Sequence, residues 1–271
     1  MKRLLSHLLG RPRAATEAPQ PPMASAPEGM RLIAIGDVHG RLDLLQGLVH
    51  RLEAEVKAGP TLDTRLILLG DYIDRGPQSA DVLDWLCDHQ PDWARVHLLR
   101  GNHEQALLDI LDGTADDETI SAWLLYGGRD TLASYRLGAP VVYADDPAYI
   151  AEAVRKGVPS RHHRLLGDMV LSLRFGDYLF VHAGVRPGVP IDAQSRQDLI
   201  WIREPFLSST EDFGAVVVHG HSITRTVSER PNRIGIDTGA YSSGRLTALV
   251  AEATQRRYVT TGTPDDPRAG L

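Results

Sequence analysis

Five glycine-flanked segments hold the side chains of this chain that could do chemistry. They are Gly36-Asp37-Val38-His39-Gly40, Gly70-Asp71-Tyr72-Ile73-Asp74-Arg75-Gly76, Arg100-Gly101-Asn102-His103-Glu104, Val181-His182-Ala183-Gly184 and His219-Gly220-His221-Ser222. Aspartate, asparagine and neutral imidazole are hard to borderline donors, suited to Mn2+, Fe or Zn2+ in an open, catalytic geometry. The single cysteine, Cys87, speaks against structural zinc and excludes an intramolecular disulfide framework. No nucleophilic Cys or Ser motif is apparent, which agrees with water as nucleophile. Any one of these segments could be a plain surface turn, and a lone histidine a hydrogen-bonded core residue. The same design on separate segments outweighs those readings.

Each segment follows a short apolar run. Strands are expected over 32–35, 66–69 and 96–99, each ending at a candidate turn. Between them Leu42, Leu45, Leu48, Val49, Leu52 and Val56 keep helical spacing. Helices are also expected over 79–88, with Ser79 or Asp81 near the N-cap, and over 104–111. This alternation predicts mainly parallel strands covered by helices, an α/β arrangement. Ligands of such sheets sit at the carboxyl ends of the strands, where glycines allow tight turns and close backbone approach. Residues 112–165 differ. They are rich in acidic residues and short helical patches, with Pro140, Pro147 and Pro159 as breaks, and predict a helical excursion from the core. His162 and His163, within it, are expected to be solvated. Runs over 170–174 and 178–182 flank Phe175-Gly176-Asp177 as a tight hairpin. Further strands over 216–219, 234–237, 246–252 and 257–261 predict a second sheet.

Composition bounds the partners. The 271 residues carry 29 Lys+Arg against 35 Asp+Glu, a net charge of −6, so the overall basic charge of a non-specific nucleic-acid binder is lacking. Hydrophobic residues at 42% and charged residues at 24% supply a sizeable core and exclude global disorder. No apolar run approaches the roughly 20 residues of a membrane-spanning helix. A soluble protein of a reducing, cytoplasmic compartment is expected.

Taken in order, Gly-Asp-x-His-Gly, Gly-Asp-x-x-Asp-Arg-Gly and Gly-Asn-His-Glu, followed by Val-His-Ala and Gly-His, resemble the phosphoprotein phosphatase family of calcineurin-like metallophosphoesterases, bacterial type. The resemblance covers about residues 31 to 250. It implies two mixed β-sheets packed as a sandwich and flanked by helices. A metallophosphoesterase catalytic domain is expected over 30–265, after a disordered tail and Pro/Ala-rich linker over 1–29. The resemblance further implies a dinuclear site, with Mn2+ preferred and Fe or Zn as other occupants. Asp37 and His39 would hold one ion, Asp71 would bridge, and Asn102, His182 and His221 would complete the second. The glycine-histidine step favours His221 over His219, which is expected behind the ligands. Water activated by the ions would attack phosphorus directly. His103 would protonate the departing oxygen, with Asp74 orienting its ring. Arg75 and Arg203, the latter in Trp201-Ile202-Arg203-Glu204, would bind phosphate oxygens together with Asn102. Arg100 and Tyr241 stay open between substrate contact and support.

Fold and metals do not choose a substrate. The leading expectation is a metal-dependent phosphomonoester hydrolase, a protein serine/threonine phosphatase acting on phosphoproteins. The alternative is a symmetrical bis(5'-nucleosyl)-tetraphosphatase acting on dinucleotides. A non-catalytic metal-binding scaffold would be expected to have lost a ligand or the acid, and every motif position is filled. The excursion is expected to shape the rim of the site and so the choice.

Overall fold

The computed structural model describes residues 24–89 and 91–262, so of the tail and linker expected over 1–29, residues 1–23 lie outside the described residues. From the amino end, β1 (Met30–Ile35), α1 (Leu42–Ala58), β2 (Asp63–Leu68), α2 (Ser79–Asp88), β3 (Arg95–Leu98) and α3 (Asn102–Asp112) alternate. The three strands are parallel. The excursion follows as α4 (Asp117–Trp123), a π-helical turn (Leu124–Gly128), α5 (Arg129–Ser134), α6 (Ala139–Val142), α7 (Pro147–Gly157) and α8 (Ser160–Asp168). The chain then forms β4 (Ser172–Phe175), β5 (Tyr178–Val181), α9 (Arg196–Trp201), β6 (Val216–His219), β7 (Ser228–Arg230), β8 (Arg233–Gly235), α10 (Ala240–Ser243), β9 (Thr247–Glu252) and β10 (Gln255–Thr260).

Two five-stranded mixed sheets result, in the orders β10-β9-β1-β2-β3 and β4-β5-β6-β8-β7. Side chains alternate across a strand, and β1 shows the consequence. Ile33 and Ile35 join the helix-covered core with Leu66 and Leu68. Leu32 and Ala34 face the other way, into a core shared with Tyr178, Phe180, Val218 and Ile234 of the second sheet. Leu179, Val181 and Val217 face outward onto Leu199, Ile200 and Phe206. The molecule is a sandwich with helices on both outer faces, and the parallel strands of both sheets end along one edge.

Four local expectations change. The prolines of the excursion start helices rather than break them. Pro147 opens α7 beside the Asp146 cap, and Pro140 lies in the first turn of α6, where a missing N–H costs nothing. Ser79 opens α2 without capping it; its hydroxyl accepts from the Asp74 amide at 2.9 Å. Strand β7 was not expected, because Ser-Glu-Arg carries no apolar residue. At the amino end, Ala26 is buried and donates to the Ala253 carbonyl at 2.8 Å. The Ser25 amide reaches Asp177 at 2.9 Å, so ordered packing begins before Met30.

Candidate active site

The five segments meet at that edge. Their backbone is unusual: His39, Asp71, Asp74, Arg75 and His221 all have positive φ, between 44° and 70°. Left-handed backbone is costly for residues with a Cβ, and tertiary bonds hold it here. Glu104, fully buried, accepts from the amides of Asp71 (2.7 Å), Gly101 (2.9 Å), Tyr72 (2.7 Å) and Ile73 (3.3 Å). Burial, then the nearby Asp71 charge, pushes the Glu104 carboxyl up to about 7. Two glycines are required by close approach. A Cβ on Gly101 would strike the Asp71 carboxylate, and one on Gly220 the Asp37 carboxylate.

Two groups of potential metal donors share Asp71: His39, Asp71 and His103, and Asp71, His182 and His221, with donor atoms in each group within 4.8 Å of one another. Asp71 Oδ2 lies 3.5 Å from His39 Nε2, and Oδ1 lies 3.3 Å from His182 Nε2. Asn102 Oδ1 joins the second group, 3.0 Å from His182 Nε2. Asp37 stands beside that group, its Oδ2 accepting from the His221 amide at 3.0 Å. The ligand set fits cations on an observation independent of motif. Asp37 Oδ1, His221 Nε2 and Asp237 Oδ2 are buried and have no hydrogen-bond partner, although buried polar atoms almost always find one. The rings are also oriented for the purpose: His39 Nδ1 is tied to the Ile73 carbonyl at 2.8 Å and His182 Nδ1 to that of Leu69 at 2.9 Å. Each leaves Nε2 for the site.

Electrostatics separate the histidines. Burial drives His39 down to about 3. Burial, then the charge of His182, drives His221 to about 3, and Arg203 adds to this. Both are neutral imidazoles, the form that binds a metal. Burial also opposes charge on Asp71, but His182, His103 and His39 hold it well below its ordinary value. Burial opposes charge on His182 too, and Asp71 raises it nonetheless. His103 is the clearest contrast: Asp71 and Asp74 overcome burial and lift it to about 9. Its Nδ1 bonds Asp74 Oδ2 at 2.6 Å, and its Nε2 faces the Arg75 guanidinium at 3.3 Å. Arg75 also lies 3.1 Å from His39 Nε2 and 5.0 Å from the Tyr241 ring centre.

Sequence reasoning missed what holds Asp74. The indole N–H of Trp123 donates to Oδ2 at 2.9 Å and the Thr131 hydroxyl to Oδ1 at 2.5 Å. Both come from the excursion, which therefore reaches into the site instead of only rimming it. Asp237, expected only as the last residue of a strand, is buried against Asp37, and burial and that neighbourhood raise Asp37 well above its ordinary value. The pairing of two buried carboxylates had no signal in spacing. His219 lies outside both donor groups, with its Nδ1 3.0 Å from the Gly220 carbonyl. Arg203 is exposed. Arg100 bonds Gln105 and the carbonyls of Gly167 and Met169, which ties the end of α8 to α3. The expectation for His162 is corrected: it is 1% exposed, between the Tyr135 hydroxyl and Asp84, each at 2.7 Å. Its neighbour His163 is exposed, bonded to Asp112.

The family model of calcineurin-like phosphoesterases matches residues 30–244. A symmetrical bis(5'-nucleosyl)-tetraphosphatase of Paracidovorax citrulli is 35% identical over 164 residues, 60% of this chain and 48% of that protein. One from Methylobacillus flagellatus is 25% identical over 281 residues, covering 89% of this chain and 99% of the relative. Serine/threonine-protein phosphatase 2 of Escherichia coli is 42% identical over 94 residues, 35% of this chain and 37% of that enzyme. The chain thus spans about half of the Paracidovorax relative and about a third of the Escherichia one. Among solved structures, a candidate diadenosine tetraphosphatase has a TM-score of 0.60 at 20% identity, covering 89% of this chain and 99% of that one. That likeness shows the shared fold.

Proposed function

The chain belongs to the calcineurin-like phosphoesterase family of metal-dependent hydrolases, and we propose that it splits symmetrical dinucleoside tetraphosphates. The observation that carries this reading is the end-to-end correspondence with a symmetrical tetraphosphatase, 99% of that relative. The protein phosphatase expected first from the sequence has weaker support, since the match to the Escherichia enzyme covers 35% of this chain.

Asp37, His39, Asp71, Asn102, His182 and His221 would hold two divalent ions, with Mn2+ the preferred occupant, and these supply charge neutralisation and an activated water. Arg75 presents its guanidinium fork to phosphate oxygens from between His39 and His103. Arg203 adds positive charge on the His221 side. His103, held protonated by Asp71 and Asp74, gives its Nε2 proton to the departing phosphate oxygen. Asp74 fixes the ring so that this proton faces the reacting group.

The test is a side-by-side kcat/KM for diadenosine tetraphosphate and a phosphoseryl peptide, with Mn2+-loaded protein and Asp71→Asn as blank. Strong preference for the dinucleotide, with ADP as sole nucleotide product, is expected. Strong preference for the peptide would overturn the substrate reading and leave the metal chemistry standing.

A further inference from the structure

A cavity of about 290 Å³ opens beside the reacting centre, lined among others by Asn102, His103, Trp123, Tyr126, Trp201 and Glu118. Its inner end is therefore the candidate active site itself. Its walls are three aromatic rings from different elements, α4, the π-helical turn and α9. Tyr126 is 56% exposed and Trp201 42% exposed, so neither is there to fill a core. Trp123 is buried and its only polar atom is committed to Asp74, which leaves carbon surface facing the space. Ala106 and Ala122 also line it and take up little of its space. Asp116 and Glu118 bring negative charge to the same cavity, so phosphate is disfavoured there. Positive charge sits beside His103, at Arg75, whose Nε donates to the Tyr126 carbonyl at 3.4 Å. Charge thus sorts a substrate into a phosphate end at the arginine and an uncharged, flat, apolar end in the cavity.

We infer that this cavity is a nucleobase site, with Tyr126 and Trp201 supplying the faces on which the base stacks. The inference rests on the dinucleotide reading above. The volume is at the low end for a small-molecule site and suits one base rather than a whole dinucleotide. Because the cavity adjoins the proton donor His103, the base it takes belongs to the departing nucleoside diphosphate. Stacking on an aromatic side chain tolerates any base with a π-face, so binding is expected to be broad among purines.

The test uses full-length, metal-loaded protein and the variants Tyr126→Ala and Trp201→Ala, with Tyr126→Phe and Trp201→Phe beside them. Trp201 also stands edge-on to His221 at 6.1 Å, which makes Tyr126 the cleaner probe. kcat and KM are measured for diadenosine tetraphosphate and for p-nitrophenyl phosphate. The alanine variants are expected to raise KM for the dinucleotide about 10-fold, to change its kcat less, and to lower the dinucleotide-to-nitrophenyl ratio of kcat/KM. The phenylalanine variants are expected to restore that ratio. If the parent protein cleaves the dinucleotide and both alanine variants keep its KM within about twofold, the base site is overturned and the proposed function survives. If the parent protein does not cleave the dinucleotide, and Tyr126→Ala instead weakens binding of a basic phosphoseryl peptide, both readings fall and the cavity takes a peptide side chain.

Discussion

The strand-end loops and the helical excursion build the same site by opposite means. The loops store strain: five of the seven non-glycine residues with positive φ among the described residues are His39, Asp71, Asp74, Arg75 and His221. Each such residue costs on the order of 1 kcal/mol or more and persists only where the surroundings over-determine it. The excursion has one such residue, Arg136, which supplies no side chain to Asp74. Trp123 and Thr131 sit in ordinary helices and project ordinary side chains onto Asp74. The loops thus fix where charge is held, and the excursion fixes how one proton donor is aimed and what the cavity admits. A change in the loops should abolish chemistry, whereas a change in the excursion should retune it.

The largest break is expected at Asp71, the one carboxylate common to both donor groups. Asp71→Asn removes a charge that three histidines face. Turnover should fall by about a thousandfold or more, in line with the loss of two-ion activation, and metal content measured by elemental analysis should drop below two equivalents. Near-normal turnover with both ions bound would show that the loops do not work as a unit.

Glu104 tests the loops as structure. Glu104→Gln places an amide donor among backbone N–H groups that now meet two carboxylate oxygens. Losing charge-assisted bonds in a buried site should cost about 3 kcal/mol, which lowers Tm by roughly 10 °C for a domain of this size. A shift below about 2 °C would mean that the strained backbone holds without it.

On the excursion side, Thr131→Val removes one donor from Asp74 while keeping shape. The Thr131 hydroxyl bonds the Asp74 carboxylate and also accepts from its amide at 3.0 Å. Activity is expected to fall about 10-fold for substrates with poor leaving groups and much less for p-nitrophenyl phosphate, because only the former need full protonation by His103. Thr131→Ser should recover most of it. An equal loss on both substrates would reduce Thr131 to a packing residue and blur the contrast between the regions.

That contrast also explains what the sequence could reveal. The loops announce themselves because strain needs glycine beside Asp or His, and such residues recur in short, fixed spacings. Gly-Asp-x-His-Gly is visible for the same reason that Gly220 must lack a Cβ against Asp37. The sheets were legible as well, since strands such as β1 bury both faces and read as unbroken apolar runs. The excursion was legible only as helical. Trp123 and Thr131 lie 49 and 57 residues from Asp74, and no local spacing marks a donor that arrives by tertiary packing. Asp237 was hidden likewise: an Asp before Thr-Gly is common turn chemistry, and its burial against Asp37 depends on β8 pairing beside β6. His162 was misjudged because its helix is polar, though the side facing Tyr135 is closed.

His162 offers the smallest and most local test. It links α2, α5 and α8 through Asp84 and Tyr135, and Arg161 and Asp88 are the other charges near it. Burial lowers it from its ordinary 6.5, and Asp84 offsets only part of this. A histidine held below its unfolded value contributes stability that is full above pH 6.5 and is lost as pH falls through the folded value. Urea unfolding at pH 7.5 and 5.5 should therefore show the parent protein losing more stability on acidification than His162→Gln, by about 1 kcal/mol or less. Identical pH slopes would mean that this junction is indifferent to the charge on its imidazole. Turnover at pH 7.5 should be the same in both proteins, since the ring bonds Asp84 and Tyr135 and none of the groups that hold Asp74. A drop in turnover would instead couple the outer helices to the proton donor through α5, in which Thr131 lies one turn before Tyr135 at the helix end, and would erase the division between a strained centre and a tunable rim.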